Sequence, residues 1–356
     1  HDPLRRQRQM CIRDRVDGAL TASTFIGGSE NDGLNLGTQL NYNYGDVCSG
    51  EVMVDPQGDV WLATSTRSDD FPMANAFDPG LNGPSDAVII RLSEDLEDLE
   101  FSSYFGGNQD DAAYAVQFAQ GSTTAYVAGG TRSDDLPTSP DAYQPDLVGE
   151  SDGYVFALNY APAIPILDAA SYFGTDDYDQ SYFVQLDTED RPHLCGQTVG
   201  SSLQLVGDVY ADNPNGSTFV VRFSPALDNV DWVTRIGLPQ SGIDISPTAF
   251  LVSDCDEMYI SGWGGVTNNN NSSTAGQSTT SGMPTTVDAY QIGTDGSDFW
   301  LGVLAPEAAD LTYGTFFGGT FSNEHVDGGT SRFDKNGTVY QAVCAGCGGW
   351  DDFPTT

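Results

Sequence analysis

Short stretches in which apolar and polar residues alternate recur along most of this chain, separated by glycine, proline, aspartate and serine. Alternation with a period of two puts every second side chain on one face, which is typical of a β-strand. A strand end with an aromatic-glycine pattern, or a degenerate Ile-Gly copy of it, recurs at spacings of roughly 60 to 80 residues, in residues 23–28, 103–107, 171–174, 233–237 and 315–319. The pattern predicts an all-β chain built from repeated units.

Further motifs follow each aromatic-glycine end in a fixed order. A second strand type occupies residues 60–64, 125–129, 193–197, 257–262 and 338–342. An acidic Asp-Asp-apolar-Pro turn occupies residues 68–72, 133–137 and 350–354. The last strand of each unit occupies residues 85–92, 151–158, 217–223 and 297–304, and a weaker strand occupies residues 113–118 and 181–186.

About four strands per unit, in a constant order that a sandwich does not explain, is typical of the blades of a β-propeller. We therefore predict a partial β-propeller ring over residues 16–356, with about four to five blades of four antiparallel strands each. The repeats are placed at about 20–99, 100–167, 168–230, 231–310 and an incomplete 311–356. A partial ring is expected to expose two blade edges.

The composition agrees with this fold and excludes one class of partner. The chain has 41 glycines, 16 tyrosines and 18 phenylalanines, and its formal net charge is −38. Phosphate recognition requires a basic face, so nucleic acid is not an expected partner. The acidity indicates either solubility, including in a salty habitat, or Asp-rich loops that bind divalent cations. No apolar stretch approaches the roughly 18 residues that a membrane-spanning helix needs.

The first 15 residues differ in composition from the rest. Residues 5–14, Arg-Arg-Gln-Arg-Gln-Met-Cys-Ile-Arg-Asp, resemble the translation of a transposase adapter used in sequencing libraries. We interpret residues 1–15 as such an artefact and not as a basic arm, and leave them out of the fold. Both ends of the chain are accordingly expected to be cut, the second inside the repeat at residues 353–356.

The cysteines allow several interpretations. Outside the first 15 residues they are Cys48, Cys195, Cys255, Cys344 and Cys347. The two-residue spacing of Cys344 and Cys347 is that of half a zinc site or a redox pair, but no second Cys/His pair has matching spacing. A structural disulfide or buried thiols are the favoured interpretation of this pair.

The motif series, from aromatic-Gly-Gly through Asp-Asp-Phe-Pro-Thr-Thr to Ser-Asp-Ala-Val-Ile-Ile-Arg-Leu, resembles the bacterial SBBP β-propeller repeats from about residue 20 onward. Residues 327–335 and 344–349 are similar to the propeller region of gliding-motility-associated proteins of Bacteroidota. That resemblance implies export by type IX secretion, a place on the outer cell surface, and partners among further domains of the same large chain. It implies no catalytic residue.

Two chemistries are weighed for this chain besides a structural role. Oxygen ligands could bind calcium, although no Asp-x-Asp-x-Asp-Gly spacing is present and capping of turns by the same carboxylates is favoured. The candidate calcium ligands are Asp69, Asp70, Asp134, Asp135, Asp176, Asp177, Asp179, Asp351 and Asp352. Of the histidines, His193 is expected to be a packed strand residue, and His325, beside Glu324, is the better acid-base candidate but has no nucleophile motif.

We therefore expect a non-enzymatic module for interaction, adhesion or structure in an exported surface protein, with no required cofactor and with glycans or surface proteins as external partners. A hydrolase or lyase acting on extracellular polysaccharide is the alternative from another class. A calcium-dependent glycan-binding module is the third, and it rests on the Trp, Tyr and Asn content of the predicted loops, including Trp263 and Trp350.

Overall fold

The structure, a computed structural model, describes most of the chain. The described residues are 22–35, 40, 42, 46–47, 50–211, 213–238, 242–269, 278–326, 331–347, 349–350 and 352–355. Outside them lie the adapter-like residues 1–15, Cys48, the calcium candidate Asp351 and most of the Asn/Ser/Thr-rich segment at 268–282. The side chain of Cys347 is not described either.

Sixteen of the described strands form four sheets, each made of four antiparallel strands that are consecutive in the sequence. The first sheet contains β1 (Glu51–Val54), β2 (Val60–Thr66), β3 (Asp86–Leu92) and β4 (Leu99–Phe105). The second contains β5 (Asp111–Phe118), β6 (Thr124–Thr131), β7 (Asp152–Asn159) and β8 (Ile166–Phe173). The third contains β9 (Asp179–Leu186), β10 (Pro192–Thr198), β11 (Thr218–Phe223) and β12 (Val230–Ile236). The fourth contains β13 (Ser246–Val252), β14 (Met258–Trp263), β15 (Phe299–Leu304) and β16 (Leu311–Phe317). The all-β class and the four-stranded antiparallel units are confirmed.

A fifth unit is described as an interrupted hairpin. Its strands are β17 (Asn323–His325), β18 (Ser331–Phe333), β19 (Val339–Gln341) and β20 (Cys344–Cys347). Strand β17 pairs with β20, and β18 pairs with β19. Strands β17 and β18 together correspond to the first strand of the preceding sheets, and β19 and β20 together correspond to the second.

Helix is scarce among the described residues. A four-residue helix, α1 (Val266–Asn269), follows β14, and a 3₁₀ turn (Pro306–Ala308) joins β15 to β16. No helix in the described ranges is long and apolar enough to cross a bilayer.

The aromatic-glycine motif closes each sheet. Residues 103–107, for example, end β4 and lead into the next sheet, although the repeats read from the sequence begin with this strand. The ring of Phe105 lies 4.1 Å from that of Phe156 in the next sheet, and Phe173 in the same position lies 5.0 Å from Phe219. The aromatic residue therefore fills the space between a fourth strand and the following sheet.

Consecutive sheets pack face to face and share their apolar cores. One cluster joins the first and second sheets through Trp61 and Val127, and the next joins the second and third through Val155 and Val221. A further cluster, which includes Trp300, joins the third and fourth sheets. The first strands also contact one another in order, β1 with β5, β5 with β9, β9 with β13, and β13 with β18.

A β-bulge interrupts the first strand of three sheets, at Tyr114, Tyr182 and Thr248. Beside the bulge in β5, the second strand β6 carries a glycine, Gly129, and the two backbones approach closely there. A Cβ atom on Gly129 would lie 2.0 Å from the carbonyl oxygen of Ala112, which no side chain tolerates. Glycine at this position therefore lets the two backbones approach closely.

Candidate functional site

The turns between first and second strands are held by one recurring hydrogen-bonding residue. The Oδ1 of Asp55 accepts the N–H groups of residues 57, 58 and 59 at 2.8 to 3.0 Å. Asp187 and Asp334 do the same in the third and fifth units, and the Oγ of Ser253 replaces the carboxylate in the fourth. These turns fix the ends of the first strands, beside a polar cavity between units.

A cavity of about 520 Å³ opens where β5, β9 and β13 end. We call it the first-strand cavity. The turn that carries Lys335, the only lysine of the chain, forms another part of its wall. Its lining residues are Gln117, Phe118, Gln120, Gly121, Gln185, Leu186, Asp187, Thr188, Asp190, Leu251, Val252, Ser253, Asp254 and Lys335. Side chains from four units thus converge on one space of a size that suits a small ligand.

Gln117 and Gln185 occupy the same register position, one residue before the end of β5 and of β9. Both are half-buried, and neither side-chain amide has a hydrogen-bond partner among the described residues. The side chain of Gln120 is exposed and likewise has no hydrogen-bond partner among the described residues. Each amide offers two donors and one acceptor. The cavity therefore presents three unused amides beside the apolar side chains of Phe118 and Leu186.

The carboxylates around the cavity fall into two groups. Asp187 forms an ion pair with Arg191 at 2.7 Å, and Asp190 accepts the N–H groups of Gln120 and Gly121 at 2.8 and 2.7 Å. Both carboxylates are therefore already paired with groups of the protein. Asp254 is exposed, and so is Lys335, so an acid and a base of opposite charge remain available at the rim.

Toward the other ends of the same first strands lies a buried cluster of tyrosines. The hydroxyl of Tyr182 donates to Oδ1 of Asp46 at 2.6 Å and lies 2.9 Å from that of Tyr178. Tyr114 stacks on Tyr182 with ring centroids 5.2 Å apart and donates to Oε1 of Gln180. Burial raises the pKa of all three tyrosines well above the usual value, so they remain protonated donors. The cluster closes this side with a satisfied polar network.

The described carboxylates of the Asp-Asp turns bind other parts of the chain. Asp70, Asp135 and Asp352 accept backbone N–H groups of the preceding aromatic-glycine turn, at 2.7, 2.8 and 2.7 Å respectively. The bond from Ser29 lowers the pKa of Asp70. Asp134 accepts the side-chain amide of Asn108 at 2.8 Å, and Asp69 is exposed. Asp70, Asp135 and Asp352 thus bind backbone N–H groups, but of a neighbouring segment and not of their own turn, which the turn-capping interpretation had expected.

The remaining calcium candidates, Asp176, Asp177 and Asp179, each bind a different partner within the chain. Asp176 accepts the hydroxyl of Ser202 at 2.8 Å, and Asp177 accepts the N–H of Tyr178 at 2.9 Å. Asp179 is buried and accepts both the N–H and the hydroxyl of Thr175 at 2.6 Å. In the described parts of the chain, no group of three or more His, Cys, Asp or Glu side chains is placed to hold a metal ion.

The two candidate histidines lie apart. His193 is buried in β10, its ring 5.4 Å from Trp232, and burial lowers its pKa to about 4. The prediction that His193 is a packed strand residue is confirmed. His325 in β17 is buried against Trp263, with ring centroids 5.6 Å apart. Trp263 was expected in a loop, and that expectation is wrong, because it ends β14 and is fully buried.

The described cysteine thiols are free. Cys195 is buried, which raises its pKa far above the usual value, Cys255 is exposed, and Cys344 is half-buried in β20. The interpretation of Cys344 and Cys347 as a disulfide depends on a side chain outside the described part.

Of the groups described above, the first-strand cavity brings together polar side chains from four units, including three amides without a hydrogen-bond partner among the described residues. The sequence analysis did not predict this cavity. The available signal was the repeated Val-Gln-apolar ending of two strands, at residues 116–118 and 184–186. No known family model and no curated protein matches this chain.

Proposed function

We propose that the sheets are consecutive blades of a β-propeller and that the chain acts as a non-enzymatic interaction module. Three observations support the propeller: four antiparallel strands per unit, face-to-face packing of consecutive sheets, and first strands that contact one another in sequence. In a propeller the first strands surround the central channel, and the first-strand cavity is then the mouth of that channel.

We assign the binding of a neutral glycan to this cavity. The observation that carries the proposal is that Gln117 and Gln185, whose amides have no hydrogen-bond partner among the described residues, line one cavity together with Phe118 and Leu186. Amides hydrogen-bond sugar hydroxyls in both directions, and an apolar surface packs against the C–H faces of a sugar ring. The net charge of −38 disfavours anionic sugars, so the proposal is restricted to neutral glycans.

The setting of the module is an exported, cell-surface protein of the gliding-associated type. This part rests on the resemblance of the motif series to SBBP repeats and to the propeller region of those proteins. A module that binds glycans through a channel mouth suits adhesion at a cell surface, with the other domains of a large chain supplying anchorage.

Isothermal titration with a panel of neutral oligosaccharides of glucose, mannose and galactose tests the assignment. The double variant Gln117→Ala/Gln185→Ala removes two hydrogen bonds worth about 1 kcal/mol each, so affinity should fall by about tenfold or more. Gln204→Ala, an exposed glutamine away from the cavity, serves as the matched control and should bind as wild type.

Absence of binding to every sugar, or equal binding by the double variant, contradicts the proposal. Titrations with added calcium and with EDTA distinguish a calcium-dependent site, which would show affinity only with the ion. Chromatography of the sugars after incubation distinguishes a hydrolase or lyase, which would release shorter products.

A further inference from the structure

One position in the third strand of each complete sheet carries either an arginine or a short apolar residue. It lies just before the register of the third strand against the fourth shifts, and the four residues are Arg91, Ala157, Arg222 and Val303. The residue before their partners in the fourth strands is, in the same order, Glu100, Asp168, Asp231 and Thr312. Arginine and carboxylate thus occur together in two sheets and are both missing in the fourth. Only the second sheet keeps the carboxylate without the arginine.

The arginine of the first sheet contacts a carboxylate and an aromatic ring. Nη2 of Arg91 lies 2.8 Å from Oε2 of Glu100, and the guanidinium carbon lies 5.9 Å from the centroid of the Trp61 ring. Trp61 is the residue opposite Arg91 in the second strand. Arginine suits this position because its planar group can pair with a carboxylate and lie on an aromatic face at once.

The arginine of the third sheet has the same kinds of partner. Nε of Arg222 donates to Oδ2 of Asp231 at 2.9 Å, and its guanidinium carbon lies 5.6 Å from the ring centroid of Trp232. Nη2 also donates to Oε2 of Glu307, in the fourth unit, at 2.7 Å. A guanidinium at this position can therefore join two consecutive sheets.

In the second sheet, a cavity lies beside the equivalent position. Its volume is about 740 Å³, and both Ala157 and Asp168 line it. Tyr126, also in its wall, is opposite Ala157 in the second strand, as Trp61 is opposite the arginine of the first sheet. The hydroxyl of Tyr126 donates to the carbonyl oxygen of Pro225 in the third unit at 3.1 Å, which holds this ring between the two sheets. We call this space the junction cavity.

The junction cavity is strongly acidic. The carboxylates in its wall are those of Asp141, Asp168, Glu189, Asp190 and Asp228, and no lysine or arginine is among the described residues that line it. Asp141 and Asp168 are exposed, and neither side chain has a hydrogen bond or an ion pair within the described part of the chain. The cavity therefore has the carboxylate and the aromatic ring of the arginine position and lacks the cation.

We propose that the junction cavity binds the guanidinium group of an arginine residue in a peptide segment of another protein. Charge complementarity favours a cation, and at the two equivalent positions of this molecule the cation is an arginine. The incoming guanidinium pairs with Asp168 and lies against the ring of Tyr126. A peptide is a better source than free arginine, because the α-carboxylate of the free amino acid would be repelled by the acidic wall.

The junction cavity is distinct from the first-strand cavity. The two share Gly121 and Asp190 in their walls, and Oδ2 of Asp190 accepts the N–H of Gly121 at 2.7 Å. Neither Gln117 nor Gln185 lines the junction cavity, and Asp168 does not line the other. Arginine binding at one site therefore does not depend on sugar binding at the other.

The fluorescein-labelled peptide Gly-Ser-Arg-Ser-Gly, titrated with the whole protein, tests the proposal by fluorescence anisotropy. Saturable binding is expected. The same peptide with citrulline in place of arginine should bind at least about tenfold more weakly, because citrulline has nearly the shape of arginine without its charge. Asp168→Asn should weaken binding of the arginine peptide by about threefold, as expected for one exposed ion pair. Asp98→Asn, at an exposed carboxylate outside the cavity, is the matched control and should bind as wild type.

Ala157→Arg supplies a second test, because it introduces the arginine that the first and third sheets already carry. The protein's own guanidinium should then occupy the site and weaken peptide binding by at least about tenfold, with circular dichroism to verify the fold. If this variant does not fold, the comparison of Asp168→Asn with Asp98→Asn decides. Gln117→Ala/Gln185→Ala should bind the peptide as wild type, which separates this result from that for sugars.

Three outcomes overturn the proposal. The first is no saturation, or equal affinity for the arginine and citrulline peptides. The second is wild-type affinity in the Asp168→Asn variant or in a folded Ala157→Arg variant. The third concerns the source of the guanidinium: free L-arginine that displaces the labelled peptide as well as acetyl-arginine amide does would mean that the ligand is the amino acid and not a peptide.

Discussion

The amide nitrogen of Asp111 lies 2.8 Å from the carbonyl oxygen of Ser85, and this hydrogen bond joins the start of the second sheet to the residue before β3. The same bond joins Asp179 to Ser151 at 2.8 Å. The side chains of Asp111 and Asp179 also accept hydrogen bonds from nearby backbone N–H and hydroxyl groups. One residue per unit therefore ties each sheet to its predecessor, which predicts that unfolding of neighbouring units is coupled.

Asp111→Ala should destabilise the protein strongly. The carboxylate accepts the N–H of Gly107 and the hydroxyl of Ser133, both at 2.8 Å, and the hydroxyl of Thr131. Alanine leaves these buried donors without an acceptor, at a cost of about 1–3 kcal/mol each where water cannot reach them. Urea denaturation should show a loss of about 3 kcal/mol or more. Asp134→Ala, at an exposed carboxylate with one bond, should cost less than about 1 kcal/mol, and equal losses would refute the junction role.

The protein should be more stable at pH 5 than at pH 8. Burial raises the pKa of Asp111 to about 8, and those of Asp179, Asp298 and Glu51 to about 7. A folded-state pKa above the unfolded value of about 4 means that the folded chain holds these protons more tightly. This contribution is fully present below the unfolded pKa and is lost as pH rises through the folded values, over about pH 4 to 8.

Thermal denaturation followed by circular dichroism checks this dependence, and a rise in Tm of at least about 5 °C between pH 8 and pH 5 is expected. Asp179→Asn removes one ionisation and keeps an oxygen for Thr175, so it should flatten the profile. A Tm that instead increases toward pH 8 contradicts the assignment of these carboxyl groups.

Gly129→Ala should cost at least about 2 kcal/mol of unfolding free energy, because the new methyl group would collide with the carbonyl oxygen of Ala112. Gly80→Ala is the matched control, since a Cβ there has no atom within 4 Å. Guanidinium titration of both variants separates them. Similar stabilities would mean that the bulge in β5 does not bring the two backbones this close.

Arg222→Ala should destabilise the contact between the third and fourth sheets. Its guanidinium donates to both carboxylate oxygens of Glu307 and to Asp231 at 2.9 Å, and it lies over the ring of Trp232. Loss of these charge-assisted hydrogen bonds and of the contact with Trp232 should cost about 2 kcal/mol, because the carboxylate of Glu307 stays exposed to water. Arg91→Ala, at a more exposed pair within one sheet, should cost about 1 kcal/mol. Differential scanning calorimetry of the two variants would expose the difference, and a smaller loss for Arg222→Ala argues against this role.

Much of the fold follows from local patterns. Alternation and glycine placement predicted the strands around Val127 and Val155. The aspartates of the acidic turns bind backbone N–H groups, as good acceptors do, but those groups belong to a neighbouring segment that the local pattern did not indicate. The start of each sheet was not predictable, because the aromatic-glycine strand looks alike whether it opens one unit or closes another. The pairing of β4 with the preceding β3 decides this, and the motif itself does not show which neighbour the strand pairs with.

The candidate site was harder to predict for a related reason. Gln117 and Gln185 are unremarkable in their strands and become a pair only where separate sheets bring their ends together. Trp263 was assigned to a loop because the residues after it resemble a loop. In the structure it ends β14 and is fully buried, with His325 of β17 beside its ring. Residues that act through long-range placement leave little trace in local sequence.

Distances between spin labels in the first and third units test the arrangement of sheets about a common axis most directly. In cysteine-free protein, one pair is placed in first-to-second-strand turns, as Gln57→Cys with Glu189→Cys. The other is placed in third-to-fourth-strand turns, as Glu97→Cys with Ala226→Cys. All four residues are exposed, and both kinds of turn lie at the same end of their sheets. Double electron–electron resonance should give a clearly shorter distance for the first pair, because first strands line the axis and outer strands diverge from it. Equal distances, or a shorter second pair, would contradict the propeller.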